Sequence, residues 1–180
     1  MPSRAPLREK ASPAPIRNPV RNYDRRLSEI LRCATEVFSG EEGTVPEALA
    51  ARLRAAGMYD ELARSRGTYI QHYPFVFRRL LPEETLISMG SDMPEACYSI
   101  SIFTYHGPRR RLAYYGFCSF LARCMTRLLD ARLHWGKHFP LEADEIARSY
   151  PRLEVFKQLS RRTDPGGVFR NAFTKRVLGL

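Results

Sequence analysis

Four consecutive residues, His134-Trp135-Gly136-Lys137, bring an imidazole, the chain's single tryptophan and an ammonium together directly after a predicted helix. A lysine beside an indole, with a glycine that lets the backbone approach closely, can present a fixed positive charge to a buried anion or an electron-rich ring. Taken alone, Lys137 is read equally well as a solvated lysine that follows a helix. Tyr150-Pro151-Arg152 comes next, and then the run Asp164-Pro165-Gly166-Gly167-Val168-Phe169-Arg170-Asn171. Alternation in Cys97–Tyr105 puts Ser99, Ser101, Phe103 and Tyr105 on one strand face. Two small hydroxyls before two aromatics suit the floor of a pocket, and equally a face turned to solvent.

Other chemistries find less support. His134 and His138 are four residues apart, but zinc peptidases need a glutamate after the first histidine, and Trp135 stands there. Gly136 also weakens any helix at that point, and no third ligand is evident, so no metal site is expected. There is no Gly-x-Ser-x-Gly and no cysteine in an activating context. Gly166-Gly167 lacks the preceding strand and the following Lys-Ser/Thr of a phosphate loop, and Gly-x-Gly-x-x-Gly does not occur.

The elements that must position these groups are legible from periodicity. Residues 1–22 are proline- and arginine-rich and are expected to be a disordered leader. Tyr23–Phe38 has Leu27, Ile30, Leu31, Ala34, Val37 and Phe38 on one helical face. Thr44 with Glu47 three residues on has the form of a capping box for a helix ending near Gly57, and a looser helical turn follows at 58–65. Residues 23–66 thus read as a helical segment. Gly67–Tyr73 is predicted as a strand interrupted by Pro74, and Thr85–Met89 as a short strand. His72, set among aromatics, reads as a packed histidine. Cys97–Tyr105 is the clearest strand, with Tyr98, Ile100 and Ile102 facing helices. Arg110–Arg132 is predicted as a long amphipathic helix with Tyr114, Phe117, Cys118, Leu121, Cys124, Met125, Leu128 and Leu129 on its stripe. Short helices should follow near 141–149 and 152–161, with a turn at 164–167. Helices around a few strands make the fold class α+β with a mainly antiparallel sheet.

Composition bounds the rest. Hydrophobic residues make 44% and charged residues 27% of 180, enough for a real core. The net charge of +10 would suit phosphates, yet the basic residues are scattered apart from Arg109-Arg110-Arg111 and the stretch from Arg148 onward. A basic module binding nucleic acid or an acidic partner is therefore the competing reading, without a nucleic-acid-binding signature to carry it. Four cysteines with no CxxC suggest a reducing compartment. The first 20 residues carry Arg4, Arg8, Lys10 and Arg17 and no apolar core, so no signal peptide is expected, and no stretch is long enough for a membrane span. The expected location is cytoplasmic, with peripheral contact at the inner membrane face as the outer limit.

The order of Cys97–Tyr105, an amphipathic helix, His134-Trp135-Gly136-Lys137, Tyr150-Pro151-Arg152, Phe156, Asp164-Pro165-Gly166, Phe169 and Asn171 resembles the carboxy-terminal substrate half of FAD-linked oxidases. The class is that of D-arabinono-1,4-lactone and alditol oxidases, within the vanillyl-alcohol-oxidase-like flavoproteins. The resemblance covers roughly residues 67–180 and is most specific over the last 50. It implies a substrate or cap domain at 67–180, an alcohol carbon as the site of oxidation and hydride passing to flavin N5. Lys137 would then be the catalytic or flavin-contacting charge, since hydride arriving at N5 leaves negative charge at the N1–C2 edge. His134 would form an active-site wall, Asn171 would face the flavin, and Ser99, Ser101 and Tyr105 would shape the substrate pocket. Two departures accompany the likeness. Ser99 and Ser101 stand where sugar and lactone oxidases carry an acidic residue and an arginine, a pattern that also resembles the branch oxidising lipid-linked arabinose precursors. The FAD-binding half, which precedes this region in the family, is absent from the 180 residues. The resemblance therefore implies FAD shared with a missing domain or partner subunit, and a small, sugar-like substrate.

Overall fold

The computed structural model describes residues 20–105, 107 and 111–180. The leader expected at 1–22 falls almost wholly outside the described residues, as do His106, Pro108, Arg109 and Arg110 of the strand break and basic run. Helix α1 spans Val20–Ser39, α2 Glu47–Ala55 and α3 Tyr59–Arg64. Strands β1, Val76–Leu80, and β2, Cys97–Ser101, pair antiparallel with Arg78 opposite Ser99. Helices α4, Arg111–Leu129, α5, Ala143–Ser149, α6, Leu153–Thr163, and α7, Ala172–Leu178, complete the order. The class is α+β. Among the described residues no helix is long and apolar enough to cross a membrane.

Two apolar clusters organise the molecule. In the first, the α1 face Ile30, Leu31, Ala34, Val37 and Phe38 packs with Leu49 and Leu53 of α2, Leu62 of α3 and the α4 stripe Phe117, Phe120, Leu121 and Cys124. The Phe38 ring meets Phe117 edge-on at 5.0 Å and Phe120 at 5.6 Å. The last turn of α1 leaves carbonyls without intrahelical partners. The backbone N–H groups of Gly67 and Tyr69 supply them, donating to Val37 and Phe38 at 3.1 and 3.0 Å. That return requires Gly40 (φ +87°), where an added Cβ would lie 3.3 Å from the Gly67 Cα.

The second cluster is built from Phe139, Leu141, Ile146, Tyr150, Leu153, Val177 and Leu178, with Trp135, Ile87, Phe156 and Phe173 packed against it. Glu145 joins the two. It is buried, accepts from Arg127 of α4 at 3.0 Å, and takes the Glu142 N–H at 3.3 Å, so the carboxylate is satisfied in place.

Several local expectations need correction. Gly67–Tyr73 is not a strand: its Tyr69 is buried in the first cluster and its backbone bonds to the end of α1, so pairing starts only after Pro74. Thr85–Met89 is not a strand either. Its carbonyls serve side chains, that of Thr85 accepting from Arg152 and that of Ile87 from Trp135. Strand β2 ends at Ser101, short of Tyr105, because the Ile102 and Phe103 carbonyls accept from Tyr114 and Gln71 instead of a strand neighbour. Helix α2 begins after Pro46, with no side-chain cap, so Thr44 and Glu47 do not form the expected box. A proline lacks the N–H that a first turn leaves unpaired, which suits it to that start.

Candidate functional site

Residues 134–138 form a tight turn between α4 and the second cluster. The Lys137 N–H donates to the His134 carbonyl at 3.1 Å and the Gly136 N–H to His134 Nδ1 at 3.0 Å. Trp135 anchors the turn. Its Nε1 donates to the Ile87 carbonyl at 2.7 Å, and its ring stacks on Phe139 at 4.9 Å and 14° and lies 5.4 Å from Tyr150. Phe139 in turn meets Phe173 of α7 edge-on at 5.5 Å. On the other side of the turn His138 lies 2.7 Å, Nε2 to Oγ, from Ser119 of α4. The side chains of His134 and Lys137 are exposed, and the Lys137 ammonium has no hydrogen-bond or ion-pair partner among the described residues.

Arginines fasten the framework beneath. Arg132 lies over the Tyr150 ring at 4.5 Å, donates to the Ser149 carbonyl at 2.9 Å and bonds to the Ser91 carbonyl. Burial pushes the Tyr150 phenol up to about 12 against the opposing pull of Arg132. Arg152 pairs with Asp92 at 2.9 Å and bonds to the Thr85 carbonyl, so residues 85–92 are tied to the second cluster from two directions. Arg176 of α7 donates to the carbonyls of Phe139 at 3.0 Å and Leu141 at 2.8 Å and to Glu142 at 2.9 Å. None of these roles was read from the sequence, where the arginines count only as charge.

The terminal motif is a built turn. Asp164 is buried, and its two carboxylate oxygens accept the Val168 and Phe169 N–H groups at 2.8 and 3.1 Å. That holds Val168 and Phe169 outward, 81% and 83% exposed. Asn171 caps α7, its Oδ1 accepting the Thr174 N–H at 3.0 Å.

The strand residues stand apart from this assembly. Ile100 and Ile102 pack on the first cluster as expected of their face, while Tyr98 is half exposed. Ser99 and Ser101 are partly buried, and Tyr105 is 86% exposed and packs against Tyr73 at 5.3 Å. A cleft of about 610 Å³ lies beside α1 between Arg32, Glu36, Glu41 and Thr44, and none of the expected site residues lines it. Among the described residues no three His, Cys, Asp or Glu side chains gather as a metal site.

A family model described as D-arabinono-1,4-lactone oxidase matches residues 43–177. A long-chain alcohol oxidase from an uncultured marine euryarchaeote is 41% identical over 156 residues, covering 85% of this chain and 33% of that protein. An alditol oxidase from Streptomyces sp. (strain IKD472 / FERM P-14339) is 45% identical over 49 residues, 27% of this chain and 12% of that protein. An L-gulono-1,4-lactone dehydrogenase from Mycobacterium tuberculosis is 30% identical over 122 residues, 66% of this chain and 26% of that protein. The chain thus spans at most about a third of the length of these curated relatives. No solved structure matches it.

Proposed function

The chain belongs to the D-arabinono-1,4-lactone oxidase family, and from that premise we propose that it is the substrate-side portion of an FAD-dependent oxidoreductase acting on a CH–OH carbon. The observation that carries this reading is Lys137: an exposed ammonium, without a partner among the described residues, on a turn whose neighbours are fixed, Trp135 to Ile87, Gly136 to His134 and His138 to Ser119. The held backbone keeps the ammonium, on its flexible stem, within reach of an anion or an electron-rich edge brought by another surface.

The fit to FAD is partial in a defined way. Three ammonium donors and the exposed His134 ring suit the carbonyl edge of an isoalloxazine, whereas no glycine-rich cradle for a pyrophosphate occurs in the sequence. Lys137 and the side-chain amide of Asn171 are the proposed flavin-facing groups. FAD, when bound, supplies the acceptor for the two electrons leaving the alcohol carbon. Lys137 offsets negative charge at its own side of the site, and the Trp135–Phe139 stack keeps the lysine backbone from retreating. Ser99, Ser101 and Tyr105 are the proposed substrate-pocket residues. The names of the relatives carry alditols, an aldonolactone and long-chain alcohols, and an alcohol carbon is common to all three.

A flavin-binding polypeptide is the implied partner. The two-stranded β1–β2 ribbon, with Phe77 and Tyr98 each 50% exposed on one face, is a surface such a partner could extend. The test is to co-express this chain with the part of the euryarchaeal long-chain alcohol oxidase that it does not match. A yellow complex that oxidises alcohols, and falls at least about 100-fold in kcat in Lys137→Ala with flavin still bound, is expected. Unchanged turnover in that variant overturns the role of Lys137.

A further inference from the structure

Val168 and Phe169 stand 81% and 83% exposed on the loop between α6 and α7, and the loop holds them there. Asp164, buried at the C-cap of α6, accepts both of their N–H groups on its carboxylate. Its carbonyl accepts from the Gly167 N–H at 3.1 Å and from Arg170 Nη2 at 3.0 Å. Gly167 makes the bend at φ +68°, where an added Cβ would come 3.3 Å from Arg170 Cδ. A loop tied in this way cannot fold its apolar side chains back onto the protein, so they stay hydrated until another surface covers them.

Charge constrains what that surface is. Beyond Glu154 the one acidic side chain is Asp164, and it is buried. Arg161, Arg162 and Lys175 are exposed and form no ion pair among the described residues. A second copy meeting this face would set those cations against themselves. The complement is an apolar pocket with carboxylates at its rim. Position narrows the choice further. Asn171, a proposed flavin-facing group, lies two residues beyond Phe169. Phe173 of α7 meets Phe139, on which Trp135 of the Lys137 turn stacks, so one cluster fixes both the loop and the turn. The match takes in 33% of the long-chain alcohol oxidase relative, so most of that protein is polypeptide that this chain does not contain.

We propose that Val168 and Phe169 are the anchor on which the remaining polypeptide of the enzyme docks, with Phe169 entering an apolar pocket whose rim carries carboxylates. The anchor rests on the reading of this chain as one portion of a larger oxidoreductase, but not on the role of Lys137. A single aromatic seated in a pocket commonly carries a large share of an interface's affinity, whereas rim charges act mainly on the rate of encounter.

The experiment measures, by surface plasmon resonance, the binding of this chain to the part of the euryarchaeal long-chain alcohol oxidase that it does not match. Phe169→Ser should weaken the complex at least about tenfold. Phe169→Trp should keep the complex and add an emission that shifts to the blue on binding. Arg161→Gln combined with Arg162→Gln should slow association and flatten its dependence on salt, with dissociation nearly unchanged. Leu112→Ser, which alters another 83% exposed side chain, on α4, should bind as the unaltered chain does. No complex at all, an affinity unchanged in Phe169→Ser, or an unshifted emission in Phe169→Trp overturns the anchor. The last of these decides the matter if Phe169→Ser does not fold. Self-association of the chain alone, or its binding to mixed phosphatidylcholine–phosphatidylglycerol vesicles, also overturns it if either is lost in Phe169→Ser. The occupant is then a second copy or a lipid surface. Colour separates the two readings. A complex that needs Phe169 but binds no flavin sustains the anchor and removes the flavin chemistry, and a yellow, active complex indifferent to Phe169→Ser does the reverse.

Discussion

Trp135 and Ile87 are 48 residues apart in the chain, yet the indole nitrogen of the first donates to the carbonyl of the second at 2.7 Å. That bond replaces strand pairing for the 85–89 segment and fixes one end of the Lys137 turn. Trp135→Phe keeps an aromatic on Phe139 and loses the hydrogen bond, so a loss of about 1 kcal/mol in unfolding free energy is expected. Trp135→Ala removes the stack as well and should approach about 3 kcal/mol. Urea unfolding followed by far-ultraviolet circular dichroism measures both, since the fluorophore is gone.

Asp164 organises the terminal turn through both carboxylate oxygens. Asp164→Asn retains one acceptor and should hold the turn partly, whereas Asp164→Ala should cost about 2 kcal/mol. The clearest readout is amide hydrogen exchange at Val168 and Phe169. Exchange should speed up at those two positions in Asp164→Ala while Ile30 and Phe117, in the first cluster, keep their protection.

Arg176 reaches Phe139, Leu141 and Glu142 at once, a geometry that needs a planar fork. Arg176→Lys is therefore not conservative and should lose on the order of 1–3 kcal/mol. Removing α7 altogether deletes Val177 and Leu178, buried members of the second cluster, and should unfold that cluster while the first survives. Near-ultraviolet dichroism at Trp135 tests this.

The cysteines give a pH prediction. Burial pushes the Cys118 thiol up to about 11 and the Cys124 thiol up to about 12, and it raises Cys33 as well. Thiolates are the reactive form, so at pH 8 iodoacetamide should modify Cys97 well before the other three in the folded protein, as peptide mapping would show. Because these folded values exceed the unfolded one, stability should be level below about pH 9 and fall as pH rises through 11 and 12. The thermal midpoint recorded from pH 8 to 10.5 checks the sign.

The helices were legible because burial on one side writes a repeat into the sequence. Leu27 through Phe38 on α1 and Phe117 through Met125 on α4 show that repeat, and both lie where periodicity places them. The strands were half legible. Cys97–Ser101 alternates cleanly, but β1 carries Arg78 and Arg79, and nothing local marks it off from the aromatic Gly67–Tyr73 segment. What chose between them was the register with β2 and the pull of α1's open carbonyls on Gly67 and Tyr69, which are long-range facts. The motif residues around Lys137 were found as types in order. Their support was not: Ile87 reaches the turn from 48 positions away in the chain and Ser119 from 19, and no spacing rule connects them.

The arginine fasteners bear on how the +10 charge should be understood. Arg52 donates to the Leu128 carbonyl, Arg127 to Glu145 and Ala56, Arg132 to Ser149 and Ser91, and Arg176 to the segment before α5. A backbone carbonyl does not titrate and a guanidinium keeps its proton through the ordinary pH range, so the ties to Leu128, Ala56, Ser149 and Ser91 do not depend on pH there. The arginines' positive field remains, but some of the N–H groups that a polyanion would grip are already engaged within the protein. These four arginines thus serve the fold as rivets.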